Sequence, residues 1–137
     1  MKEIIDGLLD SANAYLEKSG KLVKQDNLTM SEWRLLQQII AGHDTQEKLA
    51  NVTNLDISTL SRQLKRLVTK EMVTKVTIGP DRRQLKYSVT ERGNSINLRI
   101  TAGLVDIKQR IFTHWTEEEL RLMKILINRL DNSIGRI

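Results

Sequence analysis

The side chains best suited to chemistry in this sequence are cations and hydroxyls that concentrate in one stretch. Residues 56–92 carry nine basic and four acidic side chains, a net charge of +5, whereas the rest of the chain has 13 of each. A positive excess confined to one segment favours a polyanionic partner. A solvated basic face without a partner is the alternative that charge alone leaves open.

The patterns typical of enzymes and of metal sites are missing. No nucleophile–base pair or glycine-rich phosphate loop is visible, and the acidic run 117–119 falls in the first turn of a predicted helix, where the helix dipole stabilises it. There is no cysteine, and the two histidines, His43 and His114, lie 71 residues apart. We therefore expect no catalysis, no metal and no cofactor.

The length of 137 residues predicts a single cooperative domain. No apolar run approaches the roughly 18 residues that a membrane span needs. The first residues carry acids where a signal peptide would carry an apolar stretch, so we expect a cytoplasmic protein without membrane contact.

The segment 57–70 is predicted to form an amphipathic helix, capped by Asp56 or Ser58. Its apolar arc consists of Ile57, Leu60, Leu64, Leu67 and Val68. Its polar arc consists of Ser58, Thr59, Arg62, Lys65 and Arg66. Such a helix fits the major groove of B-DNA, where Arg62 suits guanine, the two other cations suit phosphates, and Ser58, Thr59 and Gln63 suit base edges or phosphates.

A β-hairpin with an arginine-rich tip is predicted next. Strands are expected at 72–78 and 85–90, with Leu85, Tyr87 and Val89 on one side, joined by a Gly-Pro-Asp turn. Arginine is favoured in a narrow minor groove. We expect Arg83 to insert there and Asp81 to orient it through a charge-assisted hydrogen bond. A solvent-exposed turn with incidental charge is the alternative.

Helices are predicted for most of the remaining chain. They cover about 2–24, 31–41 (after a Thr29–Glu32 capping box), 45–51 (opened by Asp44 with Glu47), 91–113, and a last helix after a Thr116–Glu119 box. The expected fold is mainly α with a small β-hairpin wing, a winged helix-turn-helix domain plus a helical region.

The sequence resembles the MarR family of transcription regulators. Residues 81–90 resemble its D-x-R-x(5)-L-T wing signature, with Val89 in place of leucine. Residues 90–93 resemble the strand-to-helix junction of the family, and residues 58–67 its recognition helix. The resemblance implies a homodimer that binds double-stranded DNA, with the winged helix-turn-helix at 29–90 and dimerisation helices at 1–28 and 91–137. The alternative is that the apolar faces of these helices pack against the core of a single chain, which would then be a monomer.

The resemblance also implies which residues contact DNA. The recognition-helix candidates are Ser58, Thr59, Ser61, Arg62, Gln63, Lys65 and Arg66. The wing candidates are Asp81, Arg82, Arg83 and Lys86.

Family members often respond to small aromatic or phenolic anions, which implies a ligand-responsive repressor. Trp33, Arg34, His114 and Trp115 are the candidates for such an effector pocket, with core aromatics and a surface arginine as the alternative. The lack of cysteine removes a peroxide-sensing role. A winged-helix module that binds an acidic protein instead of DNA is the alternative function.

Overall fold

Six helices and one β-hairpin follow one another in a computed structural model that describes all 137 residues. The elements are α1 (Ile4–Lys24), α2 (Met30–Ile40), α3 (Gln46–Thr53), α4 (Ile57–Thr69), β1 (Val73–Ile78), β2 (Gln84–Val89), α5 (Glu91–Ile111) and α6 (Glu117–Gly135). They divide into two units, Met1–Leu104 and Val105–Ile137. The mainly helical class and the two-stranded hairpin are as predicted. None of the helices has the length and apolar character needed to span a bilayer.

The core of the first unit lies where α2, α3, α4 and the hairpin meet. Its fully buried side chains include Leu35, Leu36, Leu49, Leu60, Leu64, Leu67 and Met72. The predicted capping box begins α2, since Thr29 Oγ1 accepts from the Glu32 amide at 3.1 Å and Glu32 Oε1 accepts from the Thr29 amide at 2.8 Å. Because both groups are satisfied, the buried face of α2 starts at a defined residue.

The start of α3 differs from the prediction. Thr45, not Asp44, caps this helix, because its hydroxyl accepts from the Lys48 amide at 3.2 Å. The helix ends at Asn54, which adopts the left-handed conformation with φ of 56°. The short turn that follows leads to α4, and Asp56 is its cap, one of the two predicted candidates.

The hairpin is antiparallel, with Val73 opposite Val89 and Ile78 opposite Gln84. Tyr87 is buried, and Leu85 and Val89 pack against the core, so the predicted inner side is confirmed. The Tyr87 amide also donates to the carbonyl of Asp44 at 2.8 Å. This bond fastens the hairpin to the residues that precede α3.

The junction between β2 and α5 is a close backbone contact. Thr90 Oγ1 donates to the Glu71 carbonyl at 2.6 Å and accepts from the Gly93 amide at 2.9 Å. A Cβ atom on Gly93 would lie 2.2 Å from the Met72 carbonyl oxygen. Only glycine fits, since the obstacle is backbone and not the end of a flexible side chain.

Gly93→Ala is therefore expected to lower the free energy of unfolding by about 1–3 kcal/mol, the typical cost of overpacking. Thermal denaturation of purified protein measures the effect. Gly20→Ala is the matched control, because a Cβ there meets nothing within 4 Å and alanine favours the helix interior. Equal melting temperatures for the two variants would contradict the assigned contact.

Many apolar side chains of the terminal helices remain exposed. In α1 only Ser19 and Val23 are buried, and α6 has no buried residue. In the second unit the rings of Phe112 and Trp115 meet edge to face at 5.2 Å, and the predicted Thr116–Glu119 capping box starts α6. The exposed apolar side chains of these two helices are Ile4, Ile5, Leu9, Leu16, Leu122, Met123, Ile125, Leu126, Ile127 and Ile134.

Candidate nucleic-acid interface

The outward face of α4 is basic. Ser58, Arg62, Lys65 and Arg66 are exposed and Thr59 is half-buried, while Leu60, Leu64 and Leu67 hold the opposite face in the core. Around the cations lies a shallow cavity of 270 Å³ lined by Arg62, Lys65, Arg66, Thr69 and Lys70. The helix therefore presents positive charge to solvent from a firmly packed base.

The first turn of α4 is held by the carboxylate of Asp56. It accepts from Ser58 Oγ at 2.7 Å, from the Thr59 amide at 2.7 Å and from Thr59 Oγ1 at 2.9 Å. The hydrogen bond from Ser58, followed by those from Thr59, lowers the pKa of Asp56 to about 2. Arg62 Nη2 then donates to Thr59 Oγ1 at 3.3 Å, so the chain of contacts reaches the first cation.

Gln63, a predicted contact to base edges or phosphates, does not lie on the outward face of α4. Only 9% of the residue is exposed, and its Oε1 has no hydrogen-bond partner. The reason is helical spacing, since Gln63 follows Leu60 by three positions and precedes Leu67 by four. That spacing is visible in the sequence and could have placed the side chain correctly.

Ser61 is turned toward a neighbouring helix. Its side chain is half-buried, and its Oγ accepts from Gln46 Nε2 of α3 at 2.9 Å. Ser61 therefore helps to hold the two helices together, and it is less open than Arg62 beside it.

Ile57 departs from its prediction in the opposite direction. It was assigned to the apolar arc, but 75% of it is exposed. The rest of the chain therefore buries only a small part of this side chain, although Leu60, three positions later, is in the core. Ile57 is the first residue of α4, so its side chain tilts toward the N-terminus, away from the turn that contains Leu60. A helical wheel shows only the angle of a residue around the helix axis, so it could not predict this exposure.

The tip of the hairpin brings Asp81 and Arg83 together as an exposed ion pair, but the predicted charge-assisted hydrogen bond between their side chains is not formed. Arg83 Nε lies 3.6 Å from Asp81 Oδ2, and the Arg83 amide donates to Asp81 Oδ1 at 3.3 Å. Both side chains are exposed, as is Arg82, whose backbone is left-handed with φ of 54°. Asp81 thus restrains Arg83 through two separate contacts.

Lys86 lies apart from this tip. It was grouped with the wing cations, but it pairs with Val76 along the strands, and its Nζ is 3.7 Å from Asp44 Oδ2. Lys48 Nζ is 3.3 Å from the same carboxylate. Burial alone would raise the pKa of Asp44. The hydrogen bond from Lys48 and the positive charges of Lys48 and Lys86 outweigh this effect, so the pKa is lowered overall. Lys86 therefore lies in the middle of β2 and contacts the residues that precede α3, not the tip.

The four effector candidates are placed in different surroundings. Trp33 is part of the core with 6% exposure, which is the alternative that the sequence left open for it. Arg34 is exposed and borders a 340 Å³ cavity of the first unit, lined also by residues such as Gln38, Val52 and Leu55. His114 and Trp115 are exposed in the second unit. No group of three or more His, Cys, Asp or Glu side chains is arranged to hold a metal.

A buried ion pair at the end of α4 was not predicted. Lys70 Nζ donates to both carboxylate oxygens of Glu32, at 2.8 and 3.0 Å, and to the Asn27 carbonyl at 2.7 Å. Glu32 is fully buried. Burial alone would raise the pKa of Glu32, but its bonds to Lys70 and Thr29 lower it overall. The pair joins the end of the basic helix to the start of α2.

A helix, a short helix, a basic helix packed across it and a hairpin with a cationic tip together define a winged helix-turn-helix protein. The helix-turn-helix consists of α3 and α4, and the wing consists of β1 and β2.

Comparisons with known proteins agree with this class. A model of the MarR family matches residues 26–84. The uncharacterized HTH-type transcriptional regulator YxaD of Bacillus subtilis is 28% identical over 120 residues, which is 87% of this chain and 82% of YxaD.

Solved structures share the fold over almost the whole chain. A MarR protein of Staphylococcus aureus in complex with salicylate and kanamycin has a TM-score of 0.82 at 14% identity, covering 96% of this chain and 90% of its own. A variant of S. aureus MepR bound to an oligodeoxyribonucleotide has a TM-score of 0.69 at 19% identity, covering 97% and 99%. The resemblance to the MarR family is thereby confirmed by the family model over residues 26–84, and the fold is the one that these MarR winged-helix structures share.

Proposed function

We propose that this protein is a transcription regulator that binds specific double-stranded DNA as a homodimer. The observation that carries the proposal is the exposed basic face of α4 beside a hairpin tipped by Arg82 and Arg83. Both features belong to the first unit. MepR, which shares the fold, has been solved with an oligodeoxyribonucleotide.

In this proposal α4 and the tip of the hairpin contact different grooves of the duplex. The helix α4 enters the major groove, where Arg62 donates to O6 and N7 of a guanine, the commonest specific contact. Lys65 and Arg66 neutralise phosphates on either side. Arg83 enters the flanking minor groove with Asp81 holding its guanidinium.

The apolar faces of the terminal helices pair two copies of the chain. Leu9 and Leu16 on α1 and Met123 and Ile127 on α6 are exposed in the single chain, and burying such surface is the main driving force of association. In this proposal, residues 29–90 form the winged helix-turn-helix and the flanking segments form the dimerisation region. Twofold symmetry then makes the operator a pseudo-palindrome with half-sites about one helical turn apart.

Binding of the dimer occludes transcription, and a small aromatic or anionic effector relieves it by favouring another spacing of the two wings. The relative with this fold that was solved with salicylate supports an effector of this kind. Arg34 in the first unit and, separately, His114 and Trp115 in the second are the exposed candidates for the contact, whereas Trp33 is buried.

Selection of bound fragments from random and genomic DNA, followed by a salt titration on the selected duplex, tests the DNA-binding function. We expect the logarithm of the binding constant to fall linearly and steeply with the logarithm of salt concentration, because released counterions drive the association. Lys65→Ala should reduce that slope by about one. Failure to enrich any sequence would favour the protein-binding alternative.

Asp81→Ala is expected to weaken operator binding even though it removes a negative charge from a DNA-facing tip. The reason is loss of both contacts to Arg83, which leaves the guanidinium to be ordered at the moment of binding. Arg83→Ala should weaken binding at least as much, because the inserted group is gone. Fluorescence anisotropy with a labelled operator measures both affinities.

Asp106 and Arg110 give the matched control, because they form an exposed ion pair at 3.8 Å outside the winged domain. Asp106→Ala should leave the affinity unchanged. Tighter binding by Asp81→Ala would rule out its orienting role, and full affinity in Arg83→Ala would refute the wing assignment.

A further inference from the structure

Ile57 is a largely exposed apolar side chain at the start of the basic helix. It is the first residue of α4, and it is 75% exposed although the helix buries Leu60 three positions later. Helical side chains tilt toward the N-terminus, so Ile57 extends beyond the turn that Asp56 caps. Folding buries little of this β-branched apolar group, so it remains available for a contact outside the free chain.

The side-chain hydroxyls beside Ile57 already use their hydrogen-bond donors. The hydroxyls of Ser58 and Thr59 both donate to Asp56, and Thr59 Oγ1 already accepts from Arg62. In this arrangement Ser58 Oγ can only accept an additional hydrogen bond. Among its side chains the first turn therefore offers an acceptor and an apolar surface, whereas the side-chain donors begin one turn later at Arg62.

An A·T base pair has the complementary pattern in the major groove. It presents the adenine N6 amino donor and the thymine C5 methyl group, whereas a G·C pair lacks the methyl. We propose that Ile57 is a specificity-determining residue that contacts a thymine C5 methyl, with Ser58 Oγ accepting from the adenine amino group. This inference rests on the proposed DNA-binding function and adds the base pair that the first turn of α4 prefers.

Single-methyl substitution in the DNA tests the contact. Each thymine of the selected duplex is replaced in turn by deoxyuridine, which removes the C5 methyl and keeps every hydrogen-bonding group. For the unaltered protein we expect one position per half-site at which the substitution raises Kd about fourfold, and about 15-fold when both half-sites are changed. Anisotropy titrations measure the ratios.

The second arm of the test changes the protein. In Ile57→Ala the penalty for deoxyuridine at that position should disappear, and in Ile57→Val, which keeps both γ carbons, most of it should remain. Because Ile57 is exposed, both variants should keep the melting temperature of the parent protein. If Ile57→Ala lowers the affinity but leaves the penalty for deoxyuridine unchanged, Ile57 has a general packing effect and the inference is overturned.

The outcomes separate this inference from the proposed function. If the selected duplex binds in a salt-dependent manner but no deoxyuridine position matters, or the penalty is the same in Ile57→Ala, the role of Ile57 is refuted and the DNA-binding function stands. If no duplex is bound, both are refuted. A penalty confined to one position and abolished by Ile57→Ala establishes the contact.

Discussion

Lys70→Met is expected to lower the free energy of unfolding at pH 7 by about 3–5 kcal/mol, the usual cost of leaving a buried charge without its partner. Glu32 is fully buried, and the Lys70 ammonium donates to both of its oxygens. Methionine fills a similar volume, so the loss reports the charge and not a cavity. Urea denaturation of the purified protein measures it.

The double variant Lys70→Met with Glu32→Gln is the control. Glutamine keeps an oxygen that can accept from the Thr29 amide, so the capping contact survives while the buried charge is removed. We expect the double variant to be more stable than Lys70→Met alone. If it is no more stable, the ion pair does not supply the effect.

The pH dependence of the same pair has a defined sign. The pKa of Glu32 is lowered in the folded protein, so the pair stabilises the fold above the ordinary value of 4.5 and the contribution is lost as the pH falls below it. In Lys70→Met, burial without a cation would raise the pKa of Glu32, and protonation would relieve the penalty. The stability difference between the two proteins should therefore be largest near neutral pH and shrink in acid.

Arg62→Ala is expected to weaken binding to the selected operator by about 1–3 kcal/mol and to relax the preference at one base pair of each half-site. Arg62 lies on the outward face of α4 and is tied only to Thr59, so its removal should leave the fold intact. Affinities for the operator and for duplexes altered at each position measure both effects.

Lys65→Ala is the matched comparison on the same face, since a phosphate contact should weaken binding to all sequences by a similar factor. An equal loss for Arg62→Ala on operator and on random DNA would mean that Arg62 contacts phosphate and reads no base.

The elements and their order could be predicted because local patterns determine them. The Thr29–Glu32 and Thr116–Glu119 capping boxes, the alternation around Tyr87 and the Gly-Pro-Asp turn are all contained within a few residues. The Asp81–Arg83 pair was also predictable, because its partners are two residues apart in a tight turn.

What local patterns missed depends on distant contacts. The Lys70–Glu32 pair joins residues 38 positions apart, and Lys86 meets Asp44 only because the hairpin folds back onto α3. For Trp33 the sequence allowed both a pocket and a core position, and only the packing of the whole first unit decides for the core. Ile57 is exposed although it falls on the apolar arc, because periodicity gives the face of a helix but not how much of its length is buried.

The most direct test of the account is sedimentation of the purified protein at low ionic strength with a fluorescent duplex obtained by selection. We expect the free protein to sediment as a dimer and the labelled duplex to move with two copies of the chain, even when a large excess of random DNA competes. A protein that sediments as a monomer and leaves the duplex unbound would contradict the account.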